Sequence, residues 1–466
     1  MAPAPQAAEL LSELEERLDA AESRGRRTIV SATVEVDEPD PCAAVFAARL
    51  ASDRWFCWEQ PDRAFALAGL GGVAEAASRG ADRFAEVAAR CLELIRDAET
   101  SDPAGLPAAA GPVWMGGFAF AEDGGSSPVW SSFDPAAMTL PEVSLVRRDG
   151  APFLTAYVLF GPSEGGGEAL RRIQGRLGGL GGAALPLLDP HRIQRPQITS
   201  ARAPGEFERS VAAATERIGA GQMDKVVLAR EIVVSAASAH DPAAVFGALR
   251  ELFPSCFCFC RGTPEAAFLG ASPELLLRRS GAGLSTVALA GSARRSSDPA
   301  VDDHLGEQLL RSDKDRREHE IVARRIVRSL RRLSVWVEAA PEPEIVKVAN
   351  IQHLATPIVA QLAEPRSAIE LAGLLHPTPD VGGEPWPQAG AAIAELEGMD
   401  RGWYAGPVGW MDATEDGEFC VALRSGLLRD RDAHLYAGVG VVAGSDPAAE
   451  LAETEDKLGA LLPLLS

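Results

Sequence analysis

Lys225-Val226-Val227-Leu228-Ala229-Arg230, running on into Glu231-Ile232-Val233-Val234, is an apolar, β-branched run of strand length with a lysine at its head. Desolvating an ammonium costs several kcal/mol unless it is paired or neutralised. A lysine at this place is therefore either a solvent-exposed strand end or a buried group kept for its chemistry. A buried lysine whose pKa falls toward neutrality can act as a general base. The segment alone leaves both readings open.

The 466-residue chain is long enough for one very large domain or roughly two to four ordinary ones, and a hydrophobic content of 46% supplies a substantial core. Its 45 basic and 66 acidic residues give a formal charge of −21, which repels nucleic acid and anionic membrane surfaces. An anionic substrate would then need a site that is locally positive or holds a metal. Seven cysteines with no signal peptide before them, and no apolar run of spanning length, predict a soluble cytoplasmic protein with reduced thiols.

Periodicity predicts an α+β chain. An amphipathic helix is expected over Met1 to Arg27, strands over Thr28 to Val36, Val113 to Phe120, Pro141 to Arg148 and Pro152 to Phe160, and a hairpin from Trp55 to Ala68. Helices are expected over Asp40 to Ala51, Asp82 to Thr100, Glu168 to Leu177, Phe207 to Gly219 and Pro242 to Leu252, with one or two more across Leu305 to Leu333. Gly161 to Gly167 and Gly178 to Gly182 read as loops or linkers, and they lack the Lys-Ser/Thr of a phosphate loop. Glu418 to Leu428 and His434 to Val442 read as strands before a last helix, Pro447 to Leu461, with Asp446 as N-cap and Pro447 in the first turn. Cys256, Cys258 and Cys260 alternate along one strand; neither a histidine nor a CxxC pair joins them, so small buried hydrophobes explain them better than a metal.

Several groups have the types and spacing that chemistry needs. Glu450, Glu453 and Lys457 share one face of the last helix. They form either a solvated face with one ion pair or half of an all-oxygen Mg²⁺ site. Arg424 lies in a predicted strand, Phe419 to Arg424, whose other residues are apolar; its fork suits a carboxylate ligand or a glutamate of the chain. Glu274 follows Ser-Pro between two apolar strands, where burial would raise its pKa and make it a candidate acid. His353 and His376 are candidate secondary groups or core histidines. Gly438-Val439-Gly440-Val441-Val442-Ala443 imitates a dinucleotide fingerprint, but too little chain follows it to close a βαβ unit.

Read together, Lys225, Gly270-Ala271-Ser272-Pro273-Glu274, Leu289-Ala290-Gly291-Ser292, Asp315-Arg316-Arg317-Glu318-His319, His376-Pro377-Thr378-Pro379, Gly406-Pro407-Val408-Gly409 and Glu450-Leu451-Ala452-Glu453-Thr454 resemble the chorismate-utilising enzymes, the family that includes anthranilate synthase component I. The resemblance is strong from Gly205 to Leu462 and looser from Thr28 to Gly161. It implies two packed antiparallel sheets with outer helices in a single chorismate-binding domain over 28–466, whose 28–190 part is looser and whose 191–466 part carries the motifs, after an N-terminal helical extension over 1–27.

The resemblance also implies roles. Lysine at position 225 points to isochorismate synthases and the related salicylate synthases, with Lys225 as base for water attack at ring C2 and Glu274 as acid for the departing C4 hydroxyl. Glu318, Glu450 and Glu453 would hold Mg²⁺, which binds the ring carboxylate. Gly291, Ser292, Gly438, Gly440, Arg424 and Lys457 would meet substrate carboxylates, Tyr404 would line the ring, and His353 and His376 would assist. Ala290 stands where a covalent lysine is found in aminodeoxychorismate synthases, and no glutaminase-type cysteine motif occurs. The expectation is an isomerase acting on chorismate as a monomer, with the region around Trp58 and Trp114 closer to menaquinone-pathway members than to siderophore ones. A salicylate synthase and a silent chorismate-binding subunit are the alternatives. One departure stands out: the family reads His-Pro-Thr-Pro-Ala, and this chain has Asp380 in place of the alanine.

Overall fold

The computed structural model describes residues 4–24, 27–37, 40–101, 105–161, 165–182, 184–188, 195–348 and 351–465. Among these, two antiparallel sheets of twelve and ten strands pack face to face. The expected α+β class and paired-sheet architecture are what the chain adopts. The twelve-stranded sheet runs from Thr28–Glu35 at one edge to Lys225–Ser235 and the short Gly383–Glu384 at the other. The early and the motif-bearing parts of the chain thus share one hydrogen-bonded layer.

Both faces of the large sheet are covered. On the inner face Phe65 meets Trp410 of the second sheet with ring centroids 5.8 Å apart, in a core that includes Trp58, Phe259 and Phe268. On the outer face Leu10, Leu14 and Leu18 of the helix Ala4–Arg24 are buried in a second core with Val45, Phe246 and Leu249. Strand Phe257–Gly262 shows the consequence: Phe257 and Phe259 enter the inner core, Cys258 and Cys260 the outer one. A strand buried on both faces loses the polar half of its alternation, which is why it reads as unbroken apolar sequence.

The chain passes between the sheets at two adjacent points. Strand Ala267–Ser272 belongs to the large sheet and Leu275–Ser280 to the small one, so Pro273 and Glu274 form the crossing. Strand Gly417–Val421 belongs to the small sheet and Ser425–Arg429 to the large one, so Ala422 to Arg424 form the return. The crossings are tied together by Val421 N–H donating to Glu274 O at 3.1 Å and Ala271 N–H to Arg424 O at 3.1 Å. This corrects the expectation of one strand across Glu418 to Leu428. Arg424 is not in a strand; it has φ of 48° in the break, where the ladder of one sheet ends and the other begins.

Helix ends follow their capping chemistry. Asp446 accepts from Ala449 N–H at 2.9 Å ahead of Pro447–Leu458, and Ser312 accepts from Asp315 N–H at 3.3 Å ahead of Asp313–Arg331. The charged stretch is two helices, Pro299–Arg311 and Asp313–Arg331. The helix expected to reach Thr100 ends at Ile95, because Glu99 leaves it to pair with Val30. Two helices without a sequence counterpart, Ala368–Leu375 and Trp386–Glu397, complete the layer beside the second sheet and the Lys225 strand. Residues 1–3 and 25–26 of the expected N-terminal helix, and 162–164 of the first glycine-rich segment, lie outside the described residues.

Candidate active site

Lys225 opens its strand and is fully buried. Its Nζ stands 2.8 Å from Glu318 Oε1 and 3.3 Å from Asp380 Oδ1. The space for this comes from the neighbouring strand, Asp432–Val441, where a β-carbon on Gly440 would fall 2.1 Å from Glu318 Oε1 and 3.0 Å from Lys225 Cε. The expected fall of the lysine's pKa toward neutrality is not found. Burial pushes it down, but the charges of Glu318 and Asp380 outweigh burial and raise it above the ordinary lysine value.

Glu274, at the first crossing, is buried at 2% exposure. Burial and the adjacent Asp380 carboxylate raise its pKa well above the usual carboxyl range, against the opposing pull of Lys225 and Thr378. Thr378 Oγ1 lies 3.5 Å from Glu274 Oε1, while Oε2 is buried with no hydrogen-bond partner among the described residues. Of the expected acid and base, the glutamate has shifted as anticipated and the lysine has not. The physical difference is that one carboxylate, Asp380, stands beside both.

A second ammonium stands beside the acidic residues. Lys314 donates to Glu450 Oε1 at 2.9 Å, and its pKa, lowered by burial, is raised overall by Glu450, Glu318 and Glu453. Glu453 in turn accepts from Ser292 Oγ at 2.8 Å and pairs with Lys457 Nζ at 2.8 Å. Burial would raise the Glu453 carboxyl, but Lys457, Ser292 and Lys314 hold it at about 2. Among the described residues no three His, Cys, Asp or Glu side chains close on one point as a metal cluster. Each of the three glutamates turns to a lysine: Glu318 to Lys225, Glu450 to Lys314, Glu453 to Lys457. An ammonium paired with Glu450, and feeling the charges of Glu318 and Glu453, marks a place that favours a cation, and an all-oxygen donor set fits a hard divalent ion in kind.

The far wall suits an anion. Arg424 is half-buried, lines the cavity, and has no ion pair among the described residues; desolvation lowers its pKa. Lys457 Nζ also donates to Gly438 O at 2.9 Å. Gly291 sits with φ of 76° in a bulge between Ala290 and Ser292, a left-handed conformation that glycine adopts without strain. Its carbonyl lies 3.2 Å from His353 Nδ1. Burial, with Arg424 and Lys457 nearby, pushes His353 down to about 3, so it is neutral near pH 7. Tyr404 stacks on Tyr436 at 5.2 Å and closes the cavity with Arg401.

The whole-chain comparisons agree with this geometry. A family model described as chorismate binding enzyme matches residues 15–466. The chain belongs to the chorismate-binding enzymes. Isochorismate synthase MenF of Bacillus subtilis is 32% identical over 459 residues, covering 96% of each chain. A salicylate biosynthesis isochorismate synthase of Pseudomonas aeruginosa is 36% identical over 461 residues, covering 97% of this chain and 93% of the other. The solved structure of MenF, the menaquinone-specific isochorismate synthase from Escherichia coli, is similar at a TM-score of 0.80 and 27% identity, covering 97% of this chain and 100% of the other.

Within this chorismate-binding enzyme, Glu274, Gly291, Ser292, Glu318, His353, Tyr404, Arg424, Gly438, Gly440, Glu453 and Lys457 line one cavity. Lys225 stands directly behind it, touching Glu318 and Asp380 of the lining. Glu450 is buried beside it, in contact with Lys314. His376 is not brought there. It lines a separate cavity, with Nε2 2.9 Å from Phe120 O and its pKa pushed down to about 3 by burial. Lys314 is the group that sequence reasoning missed. Its signal was present: it lies four residues before Glu318 on one helix, hence on the same face.

Proposed function

We propose that this enzyme is an isochorismate synthase, an isomerase that adds water at C2 of chorismate and expels the C4 hydroxyl. The observation that carries the reading is the placement of a buried lysine and a buried carboxylic acid against one cavity, whose lining residue Asp380 stands 3.3 Å from the lysine. The full-length likeness to two isochorismate synthases supports it. We place the enzyme in the cytoplasm, acting as a single chain without a glutaminase subunit; no helix among the described residues is long and apolar enough to cross a membrane. Likeness to the menaquinone-specific enzyme supports that branch for its product.

Lys225 Nζ orients the attacking water and, in its neutral form, takes one of its protons. Glu318 and Asp380 hold the ammonium, so the base form arises when one of these carboxylates is drawn away. Glu274 donates its proton to the departing C4 oxygen as the ring double bonds shift. One C–O bond forms and one breaks; the lysine ends protonated and the glutamate ionised, so the reaction is proton-neutral. Arg424 and Lys457 bind carboxylate, with the backbone open around Gly438 and Gly291. His353, neutral, offers a hydrogen bond rather than a mobile proton. Glu318, Glu450 and Glu453 would hold Mg²⁺, whose charge offsets that of the ring carboxylate when it is bound.

The test is a product chromatogram from chorismate and Mg²⁺ with the purified chain. Isochorismate without pyruvate is expected. Salicylate and pyruvate would overturn the reading, as would the absence of any turnover.

A further inference from the structure

We propose that Arg401 is a positioning residue for this reaction: its guanidinium stands in for a missing rung of the large sheet and fixes the turn bearing Thr378 and Asp380 against the strand bearing Lys225. The consequence for turnover rests on the isochorismate synthase reading; the bridge itself does not.

The large sheet thins out where the site begins. The Lys225 strand pairs with only two residues of its edge neighbour, Lys225 with Glu384 and Val226 with Gly383. At the next position Val227 N–H donates to Gly382 O at 2.9 Å. In an antiparallel hydrogen-bonded pair the partner residue returns its own N–H. Gly382 does not, because its N–H donates to Thr378 O at 2.9 Å and closes the turn. Val227 O is met by a side chain instead. Arg401 Nη2 donates to it at 2.9 Å, and Nη1 donates to Val381 O at 2.8 Å. One planar fork thus spans strand and turn. Glu397 extends the substitution along the same edge: Ala229 N–H donates to its Oε1 at 2.7 Å. Backbone pairing resumes at Glu231 O, which accepts from Ala201 N–H at 3.0 Å.

The fork is committed to the protein. Arg401 is 4% exposed, lines the cavity, and lies over the Phe120 ring with Cζ 4.0 Å from its centroid. A guanidinium has five N–H donors. Nε donates to Glu397 Oε2 at 2.9 Å and Nη2 also to Glu397 Oε1, so with the two carbonyls four bonds are already made. Glu397 is itself buried and balances the charge. A cation so engaged is a poor clamp for an incoming carboxylate. What it holds is the turn, and the turn places Thr378 Oγ1 3.5 Å from Glu274 Oε1 and Asp380 Oδ1 3.3 Å from Lys225 Nζ. The spatial relation of acid to base therefore passes through Arg401.

The test compares the full-length chain with Arg401→Lys and the isosteric Glu397→Gln. Lysine keeps a cation beside Glu397 but loses the fork. Hydrogen–deuterium exchange reads the bridge directly: in Arg401→Lys, peptides covering 225–230 and 378–384 should exchange at least about tenfold faster, with the rest of the chain unchanged. With chorismate and Mg²⁺, kcat should fall about 10²-fold and KM should change by less than about threefold, the pattern of a misplaced reacting group rather than a lost substrate contact. Glu397→Gln should move both readouts in the same direction by less. Exchange unchanged at the two segments, or a rise in KM with kcat intact, would overturn the proposal. So would protection lost across the whole chain in both variants, which marks a general structural role. If exchange responds as expected but the unaltered chain gives no isochorismate, the bridge stands and the proposed reaction falls.

Discussion

Gly440 faces Glu318 so closely that a side chain added there must displace the carboxylate: a β-carbon at 440 would lie 2.1 Å from Glu318 Oε1. The contact joins a strand of the large sheet to the helix Asp313–Arg331, and Lys225 lies against both. Gly440→Ala must push Glu318 off Lys225. We expect the chain to fold and kcat to fall about 10²-fold, as displacement of a reacting group by about 1 Å costs. A variant turning over chorismate at the unaltered rate would remove the Lys225–Glu318 pair from the active arrangement.

Lys225→Ala should abolish hydration of chorismate, a loss of about 10²–10⁴-fold if the lysine is the base. It also leaves Glu318 and Asp380 without their shared cation, so the melting temperature should fall as well. Product chromatography beside circular dichroism separates the two effects. A folded, active variant refutes the base assignment.

Glu274 makes stability depend on pH with a definite sign. Its pKa is raised on folding, so the unfolded chain gives up this proton first as pH rises from about 4.5. The stability it contributes is fully present below that value and declines as pH rises toward the raised folded value. Glu274→Gln removes the titration. Its stability relative to the unaltered chain should therefore improve steadily from pH 4 to pH 8, by denaturant unfolding. A difference that is constant with pH would contradict a protonated Glu274.

Lys314 and Glu453 should move Mg²⁺ binding in opposite directions. The ammonium of Lys314 competes for the three glutamates, so Lys314→Gln should tighten Mg²⁺ binding by about five- to tenfold in calorimetry. Glu453→Ala should weaken it and remove Mg²⁺-dependent activity. Equal Mg²⁺ affinity in both variants would place the ion elsewhere.

Much of the site was legible because its signals are local. The β-branched run after Lys225 forms a strand, Asp446 and Pro447 start the last helix, and Glu450 and Glu453 follow at one-turn spacing. The refusal of the Gly438 segment as a nucleotide fingerprint also needed only the chain that follows it. The helices Ala368–Leu375 and Trp386–Glu397 were not read, since their apolar content is high and their amphipathic stripe correspondingly faint. His376 shared a motif with the site yet packs against Phe120 and Phe84, because the turn after it carries Thr378 and Asp380, not the histidine, to Glu274 and Lys225.

By itself the sequence determined which residues could act: a lysine heading a strand, a carboxyl between apolar strands, glutamates one turn apart, an arginine after an apolar run. Only the tertiary structure decided their state. Lys225 meets Glu318 and Asp380 across 93 and 155 positions of chain, and those encounters raise its pKa where burial alone would have lowered it. Arg424 enters the cavity because the chain changes sheets at that residue. Periodicity is set by neighbours in sequence, whereas a proton's position is set by the charges that distant strands and turns bring within a few ångströms.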